Sequence, residues 1–192
     1  MTVSRDYCKI ASDNVRAGIN SSRRFPQNIF MGSFKELFFF DSDWMTESAF
    51  VGHVKAFLEA ERGQCACLCK LDLDVAQNVQ LLHIHNETSS EEYRALLVGP
   101  SPGYGWVDAM ERLACASDTG EWCMYCEPNN EIAVIGFRHE GTSPRYLHAL
   151  SEFRATDISL AIKNEVSFGF SQVASSPEWR EAFVREYTTP SR

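Results

Sequence analysis

Cys65, Cys67 and Cys69 alternate along one apolar run, and His83 and His85 alternate along the next. Alternate residues of a strand face the same way, so two paired strands would gather thiols and imidazoles on one side of a sheet. Those are the donor types that bind zinc or carry thiol redox chemistry. Structural zinc ligands, however, sit roughly two to four residues apart in knuckles or on helices, and free cysteine is among the most buried residue types. The run is therefore expected to be a core strand. No metal ligands are assigned and no cofactor is expected.

Cys123 and Cys126 have the C-x-x-C spacing of redox motifs, which open a helix after a strand. Here the pair lies within a run that itself reads as a strand, and residues three apart on a strand face opposite sides. Packing is the expected role. His53 falls on the polar side of a helix predicted over 46–62 and is expected at the surface, while His139 and His148 stand beside acids with no specified partner. The chain has no G-x-S-x-G turn. The tract from Gly99 to Gly105 has neither the Lys-Ser/Thr ending nor the G-x-G-x-x-G order of a phosphate cradle. No catalytic residue is assigned, and an enzyme built on Cys65, Cys67, Cys69, His83 and His85 stands as the alternative reading.

The elements that must position these residues follow from periodicity and turn chemistry. Residues 4–17 carry a helical stripe (Tyr7, Ile10, Ala11), and 20–26 read as a loop ending in Pro26. A buried strand is predicted over 34–40. Phe50, Val51, Val54, Phe57 and Leu58 then recur at helical spacing, with Gly63 at the expected C-terminal cap. Strands are predicted over 64–71 and 79–85, and helices over 89–98 and 106–116. The segments 121–127 and 131–137 flank Pro128-Asn129-Asn130 and read as an antiparallel hairpin. Beyond Gly141 a helix is expected over 143–153, helix or strand over 157–163, a short strand over 166–170, and a final helix opened by Ser176 and Pro177. These predict an α+β fold with a mixed or antiparallel sheet packed with several helices, in one domain spanning 1–192.

The net charge of -8 argues against nucleic acid, whose phosphates attract clustered Lys and Arg, and favours a basic protein partner. Acids concentrate in the middle of the chain, whereas the first 35 residues are rich in Arg and Lys. No apolar stretch approaches the roughly 20 residues of a membrane span, and Thr2 to Lys9 lack the apolar core of an export signal. The seven cysteines, an odd number, do not resemble a secreted disulfide framework. A cytoplasmic location without membrane contact is expected.

One segment carries a family likeness. Glu121-Trp122-Cys123-Met124-Tyr125-Cys126-Glu127 followed by Glu131-Ile132-Ala133-Val134-Ile135-Gly136-Phe137 resembles a pattern in small bacterial immunity proteins that neutralise polymorphic toxins. There, a Trp-containing strand with a Tyr leads through a Glu and a short turn into an apolar strand. The resemblance implies a non-enzymatic domain that binds a cytoplasm-acting toxin and blocks its active site. The candidate contact residues are the acids Glu87, Glu91, Glu92, Glu121, Glu127 and Glu131, with Tyr104 and Trp106 as aromatic anchors. A further possibility is a scaffolding domain that docks through Trp179, Phe183 and Tyr187.

Overall fold

A strand covered on both faces loses the apolar-polar alternation that marks a half-exposed one. Leu113–Ser117 (β4), Trp122–Glu127 (β5) and Ile132–Phe137 (β6) are buried at every position, and they form the middle of a six-stranded sheet. The computed structural model describes residues 5–71, 79–98, 112–161 and 176–188. The sheet order is β1 (Glu36–Asp41), β6, β5, β4, β2 (Ala66–Lys70), β3 (Val79–Ile84), and every neighbouring pair is antiparallel. The fold is α+β, as the sequence predicts.

Helices cover both faces. On one lie α1 (Arg5–Gly18), the loop that follows it and the last helix, α7 (Pro177–Thr188). Phe25 from the loop sets its ring edge against Tyr125 and Phe183, and Phe39 does the same against Phe183 and Tyr187. Gly136 of β6 admits this layer closely: a Cβ there would stand 2.8 Å from the Phe34 ring and 2.9 Å from that of Phe30. The opposite face carries α3 (Phe50–Glu61), α4 (Ser90–Val98) and α5 (Leu147–Glu152). Phe57 of α3 is its hub, touching the rings of Trp122, Phe137, Tyr146 and Phe153. Short helices α2 (Asp43–Thr46) and α6 (Ile158–Ala161) are also present, and a 3-10 turn, Ser143–Tyr146, leads into α5.

Local chemistry explains several boundaries. At the end of α3 the left-handed residue is Arg62 (φ 60°), not Gly63, whose N–H instead reaches back to the Leu58 carbonyl at 2.8 Å. Gly63 is constrained by space, because a Cβ there would lie 2.8 Å from Glu61 Oε1. The hairpin turn is a single 3-10 turn, Pro128–Asn130, closed by Glu131 in the left-handed region (φ 56°). Ser176 caps α7 by accepting the Trp179 N–H at 3.2 Å.

The helix expected over 106–116 is corrected: residues 113–117 are a central strand, and 106–111 lie outside the described residues. Leu-Ala-Cys-Ala-Ser carries the helix formers Leu and Ala, yet it is buried at every position. The ambiguous segment 157–163 contains the helix Ile158–Ala161, while 166–170 fall outside the described residues. Phe183 and Tyr187 are buried inside the fold, with Trp179 stacked on Phe183, so the apolar stripe of α7 already has its partner. Among the described residues no helix is long and apolar enough to cross a membrane.

Candidate functional site

The register brings the start of β2, the end of β3, the end of β4, the start of β5 and the end of β6 to one end of the sheet, through the pairs Ala66 with Ile84, Ala66 with Ser117, Ala116 with Cys123, and Trp122 with Phe137. Glu87, in the turn after β3, and Glu121, just before β5, therefore share that end. Glu127 and Glu131 lie at the other, roughly 17 Å away along a strand.

The turn after β3 is built locally. Thr88 Oγ1 donates to the His83 carbonyl at 3.2 Å and accepts the His85 N–H at 3.0 Å. Ser89 and Glu92 then form a reciprocal capping box: Ser89 Oγ accepts the Glu92 N–H at 3.0 Å, and Glu92 Oε2 accepts the Ser89 N–H at 2.6 Å. This fixes the first turn of α4 with Glu87, Glu91 and Glu92 exposed. Beside it opens a groove of about 590 Å³ lined by Gly52, Lys55, Ala56, Glu59, Arg62 and Asn86. A Cβ on Gly52 would meet nothing within 4 Å among the described residues, which place no packing demand for glycine at this helical position.

Glu121 belongs to a tighter constellation. The Tyr146 hydroxyl lies 3.0 Å from Glu121 Oε2 and 3.1 Å from Glu61 Oε2. Thr119 Oγ1 donates to Glu61 Oε2 at 2.8 Å, and Arg145 Nη1 to Glu121 Oε2 at 2.9 Å. Burial pushes the Glu61 carboxyl up to about 7, against the hydrogen bonds from Ser117, Thr119 and Tyr146. Glu61 Oε1 is buried with no hydrogen-bond partner among the described residues. Glu61 can hold a proton near neutral pH, but Tyr146 is only 1 % exposed and presents no surface to a substrate. Glu61 and Tyr146 carried no signal in the sequence, since each sits on an ordinary helical or turn segment.

The other predicted contact residues separate. Glu127 is 4 % exposed, and its carboxylate accepts the Phe25 N–H at 2.8 Å and the hydroxyl of Tyr125, with Asn130 Nδ2 as a third donor. Glu127 is thus an internal anchor for the 20–26 loop and not a surface contact, which corrects the expectation. Burial raises its pKa. Glu131 is exposed at the turn. Tyr104 and Trp106 lie outside the described residues.

The cysteine run does gather histidine. Cys67 pairs with His83 across β2 and β3, and α1 adds Cys8 and Ser12, which the sequence reading missed because they lie more than 50 residues away. Cys8 Sγ stands 2.9 Å from Cys65 Sγ, Cys67 Sγ is 3.5 Å from Cys69 Sγ, and Ser12 Oγ donates to Cys67 Sγ at 3.1 Å. His83 Nε2 is 3.4 Å from Ser12 Oγ. His85 is held in the following turn, its Nδ1 accepting the Glu87 N–H at 3.3 Å. The hydrogen bond with Cys69 lowers the Cys67 pKa, aided by Ser12 and Arg16, whereas burial raises that of Cys65. Among the described residues no group of three or more His, Cys, Asp or Glu is arranged to hold a metal ion. Cys123 packs against Gly18 on the α1 face, and alternation turns Cys126 to the other face, so the two share no site.

His53 is buried, 8 % exposed, and not at the surface as expected. Its Nδ1 lies 2.8 Å from Glu152 Oε2, and its ring packs against Trp44 and Phe153. Glu152 also faces His148 at 3.6 Å. His53 therefore joins α3 to α5; His139 and His148 are exposed.

No protein-family model matches the chain, and comparison with curated proteins and with solved structures likewise gives no match.

Proposed function

We propose that the chain is a protein-binding domain without chemistry of its own, an immunity protein that captures a basic toxin domain acting in the cytoplasm. The observation that carries this reading is the acidic end of the sheet. Glu87, Glu91 and Glu92 are held exposed by the turn after β3 and the α4 cap, beside an open groove along α3 and on the same end as Glu121. The steering charge comes from the exposed Glu87, Glu91 and Glu92, since Lys55 and Arg62 line the groove and Arg145 pairs with Glu121; in a chain of net charge -8 these acids would attract a cationic partner. The groove supplies concave shape, with Gly52 and Ala56 leaving room for incoming side chains. The hairpin likeness from Glu121 to Phe137 adds the family expectation, although its strands are core.

The test is direct capture. The product of a toxin-like gene adjacent to this one, purified with a tag, should bind the immobilised chain in a one-to-one complex and lose its activity on binding. Absence of any complex at micromolar concentrations would sink the reading.

A thiol-dependent enzyme is the second reading, favoured by one observation: Cys67, its pKa lowered, sits beside Ser12 with His83 opposite. Cys67 is fully buried, so a substrate would have to part α1 from β2. Cys67→Ser should leave toxin capture intact on the first reading and abolish turnover on the second.

A further inference from the structure

We infer that Cys8 and Cys65 form a reversible disulfide site, which staples α1 to the start of β2 when the chain meets a low-molecular-weight disulfide. The two Sγ atoms stand 2.9 Å apart, so less than about 1 Å of approach separates them from a bond of about 2.05 Å. They differ in access: Cys8 is half-buried on the flank of α1, whereas Cys65 is buried. A reagent from solvent therefore meets Cys8 first, and Cys65 is positioned to resolve the adduct.

The chemistry balances with oxidised glutathione as the oxidant. The Cys8 thiolate attacks one sulfur of the reagent, forming a mixed disulfide and releasing one glutathione thiolate. The glutathione thiolate released first takes the Cys65 proton, the Cys65 thiolate attacks the Cys8 sulfur, and the second glutathione leaves as a thiolate that picks up a proton from water as the Cys8–Cys65 bond closes. Two protein thiols are oxidised, one reagent disulfide is reduced, and the two released glutathione molecules carry the two protons, one of them by way of water.

The neighbouring thiols are not equivalent. Cys67 and Cys69 approach to 3.5 Å, but both are buried on one strand and neither meets solvent first. Cys115, Cys123 and Cys126 are buried on central strands. The staple would close a loop 57 residues long in sequence separation, restricting the unfolded chain and holding α1 against β2. In a reducing compartment such a pair opens again, the behaviour expected of a redox-sensing disulfide rather than a structural one.

The purified, fully reduced chain is incubated with oxidised glutathione, quenched in acid, and studied by intact mass, peptide mapping and thermal melting. The expected result is loss of two free thiols with no retained glutathione mass, and a cross-linked peptide joining Cys8 to Cys65. The melting temperature should rise by roughly 5–10 °C, reversed by dithiothreitol. Cys8→Ser should abolish the cross-link and the rise. A persistent glutathione adduct on Cys8, a cross-link confined to Cys67 and Cys69, or retention of all seven thiols would each overturn the inference. The map of the wild-type chain decides the matter even where a variant fails to fold.

Discussion

Glu61 and Glu121 share one hydrogen-bond partner, the Tyr146 hydroxyl, at 3.1 and 3.0 Å. A hydroxyl has a single proton to give, so two ionised carboxylates cannot both receive it. A proton on Glu61 resolves the conflict, because its carboxyl can then donate while Tyr146 serves Glu121. Burial raises the Glu61 pKa to about 7 from an ordinary 4.5.

The folded state therefore binds this proton more tightly than the unfolded chain. The stabilisation is fully present below the unfolded value of 4.5 and is lost as pH rises through about 7. Its upper bound is on the order of 3 kcal/mol, at about 1.4 kcal/mol per pKa unit. Glu61→Gln carries no titrating group, so the stability of wild type relative to this variant should fall by about 2–3 kcal/mol between about pH 5 and pH 8. Urea unfolding across that range measures it, and a flat difference would show that Glu61 titrates normally.

Glu127→Ala should destabilise the fold by about 2–4 kcal/mol, because it leaves the buried Phe25 N–H and Tyr125 hydroxyl without their acceptor. Glu131→Ala, four residues away and exposed, should change stability by less than about 0.5 kcal/mol. Chemical denaturation of both variants separates an internal anchor from a surface acid; equal effects would contradict the assignment.

This contrast shows where sequence was informative. The hairpin, the α3 stripe and the α7 cap were legible because each is written within a dozen neighbouring residues. The opposite facing of Cys123 and Cys126 followed from strand alternation alone. What sequence could not show was pairing at a distance. Glu127 looks like any turn-flanking acid until Phe25 is brought onto it from 102 residues away. His53 reads as a surface residue until Glu152 arrives from 99 residues away. Leu113–Ser117 lost its strand signal for a different reason: a core strand covered on both faces has no alternation to read.

Two glycines should respond to alanine in opposite directions. Gly52→Ala adds a Cβ to open space in α3 and removes backbone freedom from the unfolded chain, so it should stabilise by about 0.5–1 kcal/mol. Gly136→Ala drives a Cβ into the Phe34 and Phe30 rings at 2.8 and 2.9 Å, and should cost about 1–3 kcal/mol through overpacking. Thermal melts of the two variants, one above wild type and one below, are the expected pattern.

The acidic end of the sheet makes the sharpest demand on the binding proposal. Glu87 and Glu91 are exposed on the turn and helix start beside the groove, and Glu131 is also exposed, at the opposite end. If a basic toxin domain docks at the first end, Glu87→Lys with Glu91→Lys should slow association by about tenfold or more, since steering by surface charge acts mainly on the on-rate. The effect should shrink as ionic strength rises and screens the charges. Glu131→Lys makes a charge change of the same kind per residue, but away from the groove, and should slow association far less. Surface plasmon resonance at low and high salt reads both rates. Comparable slowing per substitution at the two ends would mean that net charge alone governs encounter, and the groove would lose its claim as the docking face.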